Sequence, residues 1–190
     1  MGLLLVGLIC LPALAENVIP LFNQSIWWDF IQESQGKNLR LFPQDVTADG
    51  RTDVVAVFEL QRQATVEPVV RILTFAHQGG FDFQLLNTAE PIPGRVVEAQ
   101  LRTDLTSRAR PQLVLLTERG GISLLRSLLV LEYQGARPGF VPLLSVTDLS
   151  NARIRVSRAG ILVSTGQPGS LEGRATLYQW QGNDFARIEL

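Results

Sequence analysis

Short apolar runs, broken by glycine, proline and polar clusters, dominate this chain. Val54 to Phe58, Leu113 to Leu116 and Ile161 to Val163 are the plainest of them. Apolar runs of this length, bounded by turn residues, predict buried strands. Ile122 to Tyr133 is long and leucine-rich enough to read as a helix by length alone. Its context decides otherwise, because the segment belongs to a repeat.

Three stretches share one pattern. Arg71 to Phe75 leads into His77-Gln78-Gly79, followed by Phe83 and Leu86. Ser127 to Leu131 leads into Tyr133-Gln134-Gly135, followed by Phe140 and Leu143. Arg174 to Tyr178 leads into Trp180-Gln181-Gly182, followed by Phe185 and Ile188. Each reads as a strand closed by a ring residue, a Gln-Gly turn, and a return strand opened by Phe. Glycine supplies the positive φ that such a turn requires. Upstream of each lies Asp-aliphatic-hydroxyl: Asp45-Val46-Thr47, Asp104-Leu105-Thr106 and Asp148-Leu149-Ser150. Self-similarity of this kind, with about four strands in about 45–60 residues, matches the period of a propeller blade.

The expected fold is therefore all-β, with propeller-like blades of antiparallel strands; a β-sandwich is the alternative. Three units, approximately 45–103, 104–147 and 148–190, form a single domain over 16–190. Closure of a ring needs about 4–8 blades. Residues 16–44 would supply an eroded fourth, or the sheets stack openly, or two chains complete a ring. Pro68, Pro91, Pro93, Pro111, Pro138, Pro142 and Pro168 are expected to act as breakers between strands. One short helix is expected over Ser25 to Ser34, ended by Gly36.

Composition narrows the classes. Apolar residues make up 46 % and charged ones 18 %, so a folded core is expected. The net charge of -1 gives no basic excess, which argues against a nucleic-acid binder. Residues 1–15 read as a signal peptide: Leu3 to Leu14 is apolar, and Ala13-Leu14-Ala15 suits cleavage before Glu16. The run is too short for a membrane span, which takes roughly 20 apolar residues. A periplasmic, secreted or surface protein of a bacterium is expected. Cys10, the only cysteine, lies in that leader, so no disulfide is expected in the mature chain.

One loop carries recognisable chemistry. Asp45, Asp49, Gly50 and Asp53, followed by Val54, resemble the calcium-loop repeats of the FG-GAP and VCBS type, with Thr47 departing where that family prefers Asp or Asn. The resemblance implies a structural calcium held by Asp45, Asp49 and Asp53, with Thr47 and the carbonyl of Arg51. It also implies a non-catalytic role in adhesion or recognition. The residues alone permit the same site, because calcium takes six to eight oxygens and Gly50 allows the sharp bend. The second copy has Arg108 and Gln112 in place of Asp49 and Asp53, which suggests a salt bridge beside Asp104 instead of an ion.

Catalytic motifs fail individually. His77 is the only histidine and stands where Tyr133 and Trp180 stand, so it reads as a packing ring. Ser34-Gln35-Gly36-Lys37 has no second lysine to complete a penicillin-binding pattern. The expected function is an exported, non-catalytic binding or structural module that recognises a protein or polysaccharide of the cell envelope. Alternatives are a carbohydrate binder using Trp27 and Trp28, or a hydrolase with an unmarked carboxylate pair. Arg153, Arg155 and Arg158 read as a solvated face, with a cationic stripe for an acidic surface polymer as the sharper reading.

Overall fold

The computed structural model describes residues 36–60, 67–80, 82–120, 125–166 and 173–190. These residues form thirteen strands and no helix. The first sheet contains β1 (Lys37–Gln44), β2 (Asp53–Leu60), β3 (Val69–Gly79), β4 (Asp82–Thr88) and the short β5 (Ile92–Pro93). The second contains β6 (Arg95–Arg102), β7 (Gln112–Arg119), β8 (Leu125–Tyr133) and β9 (Phe140–Ser150). The third contains β10 (Arg153–Ser157), β11 (Gly160–Thr165), β12 (Arg174–Trp180) and β13 (Phe185–Glu189). Every pairing is antiparallel, and each sheet is a meander of neighbours in chain order, with β5 added beside β3. The sheets are open, with edge strands at both sides. The expected leader over 1–15, the expected helix over 25–34, and Trp27 and Trp28 lie outside the described residues.

Burial explains the sequence pattern. Val55 and Val57 of β2 pack with Val96 of β6 and with Leu113 and Leu115 of β7 between the first and second sheets. Val114 and Leu116 of β7 point the other way, to Ile161, Val163 and Tyr178 of the third. Because β7 is covered on both faces, successive residues must be apolar, and alternation disappears. The same holds for β2, whose Val54, Ala56 and Phe58 belong to a third cluster on the far face of the first sheet. The third sheet has only one covered face. Its strands β10 and β13 accordingly alternate between exposed and better-buried positions.

The Gln-Gly repeat is a structural equivalence. All three turns join the third to the fourth strand of their sheets. The ring residue pairs with the returning Phe in each: His77 with Phe83, Tyr133 with Phe140, and Trp180 with Phe185. Ring centroids stand 4.9, 5.3 and 5.3 Å apart. Gly79, Gly135 and Gly182 all hold positive φ, at 119°, 107° and 87°.

Two expectations need correction. Asp148-Leu149-Ser150 is the end of β9 and pairs with β8, so it is no counterpart of the other two Asp-aliphatic-hydroxyl segments. The corresponding connection in the third sheet is the tight turn Arg158-Ala159 between β10 and β11. The sheets thus run one strand ahead of the expected units, since β1 and β6 precede their loops. Pro142 does not break a strand either. It sits within β9, opposite Leu131, where the register shifts. An edge strand at a bulge can lose an N–H without leaving a ladder bond unmade.

Leu115 is 0 % exposed between two sheets, so Leu115→Ala should lower the unfolding free energy by about 2–5 kcal/mol in urea titration. Gly135 and Gly160 separate two costs. A Cβ at Gly135 meets open space, so Gly135→Ala should cost about 1–2 kcal/mol for its left-handed backbone alone. A Cβ at Gly160 would lie 2.4 Å from the carbonyl oxygen of Tyr178, so Gly160→Ala should cost clearly more.

Candidate functional site

Antiparallel meanders put alternate connections at opposite ends. The β1–β2 loop, the β6–β7 loop and the β10–β11 turn share one end with the three Gln-Gly turns. This loop end carries the chemistry.

In the first sheet, the loop is organised by Asp53, the first residue of β2. It is 0 % exposed. Its Oδ2 accepts from the backbone N–H of Val46 (3.0 Å), the N–H of Thr47 (2.9 Å) and the Thr47 hydroxyl (2.9 Å). Its Oδ1 accepts from the N–H of His77 on β3 (3.0 Å). A buried carboxylate is tolerated only with such a full set of donors. Asp45 faces elsewhere and accepts from the N–H groups of Asp49 (3.2 Å) and Gly50 (2.9 Å). Asp49 accepts from the N–H of Arg51 (2.8 Å). Arg51 reaches across to the carbonyl of Gln78 (3.0 Å) and ties the loop to the Gln-Gly turn.

Asp45, Thr47, Asp49, Arg51 and Asp53 therefore share a loop without sharing a centre. Among the described residues no three His, Cys, Asp or Glu side chains gather as a metal-holding group. Every Asp53 oxygen is already committed to N–H or O–H donors, whose hydrogens point where a cation would have to stand. As arranged, these residues do not fit a calcium cage; hydrogen bonds close the loop.

The second sheet solves the same problem with different charges. Gln112 takes the place of Asp53 and donates from Nε2 to Thr106 Oγ1 (3.0 Å) and to the carbonyl of Arg110. Val46 and Leu105 occupy matching buried positions, 6 % and 4 % exposed. The buried acid has moved to the neighbouring strand: Glu132, paired with Gln112 in the β7–β8 register, is 0 % exposed. Arg108 Nη1 lies 3.3 Å from Glu132 Oε1, and Arg110 Nη1 lies 3.8 Å from it. Arg108 also covers the Trp180 ring of the third sheet, 4.9 Å from its centroid. Glu132 Oε2, Gln112 Oε1 and the Trp180 indole N–H are buried without a hydrogen-bond partner.

A salt bridge does form at Asp104, as the sequence suggests, but with Arg102 (2.8 Å) and not Arg108. The hydrogen bonds from Arg102, helped by its charge, hold the Asp104 carboxyl below the usual carboxylate range. Tyr133 shows the opposite effect. Burial, then the nearby Asp53 carboxylate, pushes its phenol up.

A cleft of about 460 Å³ opens between the second and third sheets at this end. Thr103, Asp104 and Ser107 of the β6–β7 loop form one wall, and Arg158, Gln179 and Trp180 of the third sheet form the other. The sequence pointed to Arg158 but not to Glu132, Arg110, Gln179 or the role of Trp180. A signal for Glu132 existed: it is a lone acid in an otherwise apolar run, and a charge there demands a partner.

Four outcomes are expected. Asp53→Asn should cost about 2–3 kcal/mol, since an amide cannot accept from all four donors; millimolar calcium should leave the melting midpoint of the parent chain unchanged. Arg108→Ala should cost about 1–3 kcal/mol, because Glu132 keeps only the more distant Arg110. Adding Glu132→Gln should recover much of that loss in a double-mutant cycle of denaturation midpoints. The chain matches no family model, no curated protein and no solved structure, so its likeness to FG-GAP and VCBS repeats rests on the residues of the Asp45–Asp53 loop and the repeat pattern around it.

Proposed function

We propose that this chain is an exported, non-catalytic recognition module of propeller-like build. Its loop end holds a protein or polysaccharide partner at a bacterial envelope. The observation that carries this reading is the contrast between frame and loops. The three sheets repeat the same ring-Phe turn, while the loops at that end differ in length, charge and hydrogen bonding and frame a cleft. Function concentrates on variable loops set on a rigid scaffold.

The non-catalytic part has its own support. Asp45 and Asp49 cap backbone amides, Asp53 and Glu132 are buried in hydrogen bonds or ion pairs, and Asp104 is bound to Arg102. A hydrolytic carboxylate pair would face a common substrate space across a fixed gap. The His77 ring stacks on Phe83 and its Nε2 lies 3.1 Å from the Gly80 carbonyl oxygen, in keeping with a packing role. The envelope location rests on the leader-like residues 1–15. Among the described residues no helix is long and apolar enough to cross a membrane.

Substitutions at the two ends of the sheets separate this reading from its rivals. Immobilised chain should retain a purified envelope polysaccharide or protein. Ser107→Trp, which fills the cleft, should reduce retention at least tenfold, and Arg95→Glu at the opposite end should leave it unchanged. Equal loss in both variants would refute a loop-end site. Turnover of a polysaccharide that disappears with one Asp or Glu substitution would refute the non-catalytic reading.

A further inference from the structure

The cleft between the second and third sheets exposes one guanidinium that has no ion-pair partner among the described residues. Two charged side chains line it, Arg158 and Asp104; Arg102 pairs with Asp104, and Arg108 and Arg110 are engaged with Glu132 outside the lining. Glu132 is 0 % exposed and enclosed by Arg108 and Arg110. Asp104 is held by both ends of the Arg102 guanidinium, at 2.9 and 2.8 Å. The remaining cation is Arg158, exposed on the two-residue turn between β10 and β11, with no carboxylate within 4.0 Å among the described residues. The mouth thus presents one guanidinium outside any ion pair, facing an Asp104 carboxylate already held by Arg102. A local field of this kind selects an anion at one point, in contrast to the extended basic track of a nucleic-acid binder.

The rest of the lining specifies what carries that anion. Thr103, Ser107 and Gln179 are exposed and offer hydroxyl and amide groups to the cleft. Leu105 is 4 % exposed, so the one aliphatic side chain of the lining larger than alanine is closed off. A volume of about 460 Å³ falls in the range of small-ligand sites. Many neutral hydrogen-bonding groups around one guanidinium match a hydroxyl-rich body bearing one oxyanion.

We propose that this cleft binds an acidic sugar unit of a saccharide, with its carboxylate or sulfate on Arg158 and its hydroxyls on Thr103, Ser107 and Gln179. The proposal rests on reading the loop end as a recognition surface.

Calorimetric titration of the full chain tests it. The probes are a trigalacturonate, its methyl ester, a sulfated trisaccharide and a pentaglutamate peptide. Binding is expected for trigalacturonate or the sulfated sugar, and their relative affinity identifies the oxyanion. The methyl ester should bind at least tenfold more weakly than trigalacturonate. Arg158→Glu should weaken acidic-sugar binding at least tenfold with an unchanged melting midpoint, since Arg158 is exposed on a turn. Gln179→Ala should weaken the acidic sugar without restoring the ester. Pentaglutamate binding as tight as the sugar, or acidic-sugar binding indifferent to Arg158→Glu, would overturn the proposal. If no acidic sugar binds while Ser107→Trp still abolishes retention of another envelope partner, this inference falls and the recognition module stands.

Discussion

A strand covered on both faces can meet water only at its ends, and that constraint organises this molecule. Val54–Phe58 of β2 and Leu113–Leu116 of β7 are buried on both faces, so those side chains are apolar without alternation and their backbones are satisfied sideways by neighbours. The first residue of such a strand must then serve two masters. It lies at the edge of the core, yet it must fasten the loop that brings the chain in from solvent. Asp53 and Gln112 occupy that position, and both do so through a threonine six residues earlier. The loop geometry, and with it the cleft wall, follows from that attachment.

Burial sets the order of what varies. The ring-Phe pair recurs in all three sheets because it closes the third and fourth strands where they leave the core, and any large ring with a Phe opposite can do so. Histidine, tyrosine and tryptophan are interchangeable there in shape but not in polarity. His77 finds a carbonyl, whereas Tyr133 and Trp180 leave a polar atom buried without one. The loops face no such packing requirement. They have diverged to a hydrogen-bonded Asp loop in the first sheet, an arginine-rich loop in the second and a bare turn in the third.

Much of the frame was legible in the sequence because it obeys local rules. The continuous runs at Val54–Phe58 and Leu113–Leu116 mark doubly covered strands, and the aligned Gln-Gly sites rule out a helix before Tyr133. The phase of the repeat was less legible. Asp148-Leu-Ser copies the loop motif in letters while lying in β9, and nothing local distinguishes a loop opening from a strand end. The site was the least legible part. Asp45, Asp49 and Asp53 have metal-loop spacing, but spacing does not reveal that Asp53 turns inward to the N–H of His77, twenty-four residues away. The Arg108–Glu132 pair is equally non-local, and Trp180 joins it only through the packing of one sheet on the next.

The relocation of the buried acid from β2 in the first sheet to β8 in the second has an evolutionary consequence. A duplicated segment is usually imagined as exchangeable with its siblings, loop for loop. Here the loop's charge and the residue beneath it form one inseparable set. Transplanting residues 45–53 over 104–112 would bring Asp53 beside Glu132 and put Asp49 in the place of Arg108, leaving Arg51, in the place of Arg110, as the one guanidinium from the loop against two buried anions. Recombination between these copies is therefore penalised wherever the crossover falls between the loop and the strand that answers it, and each sheet is committed to its own loop.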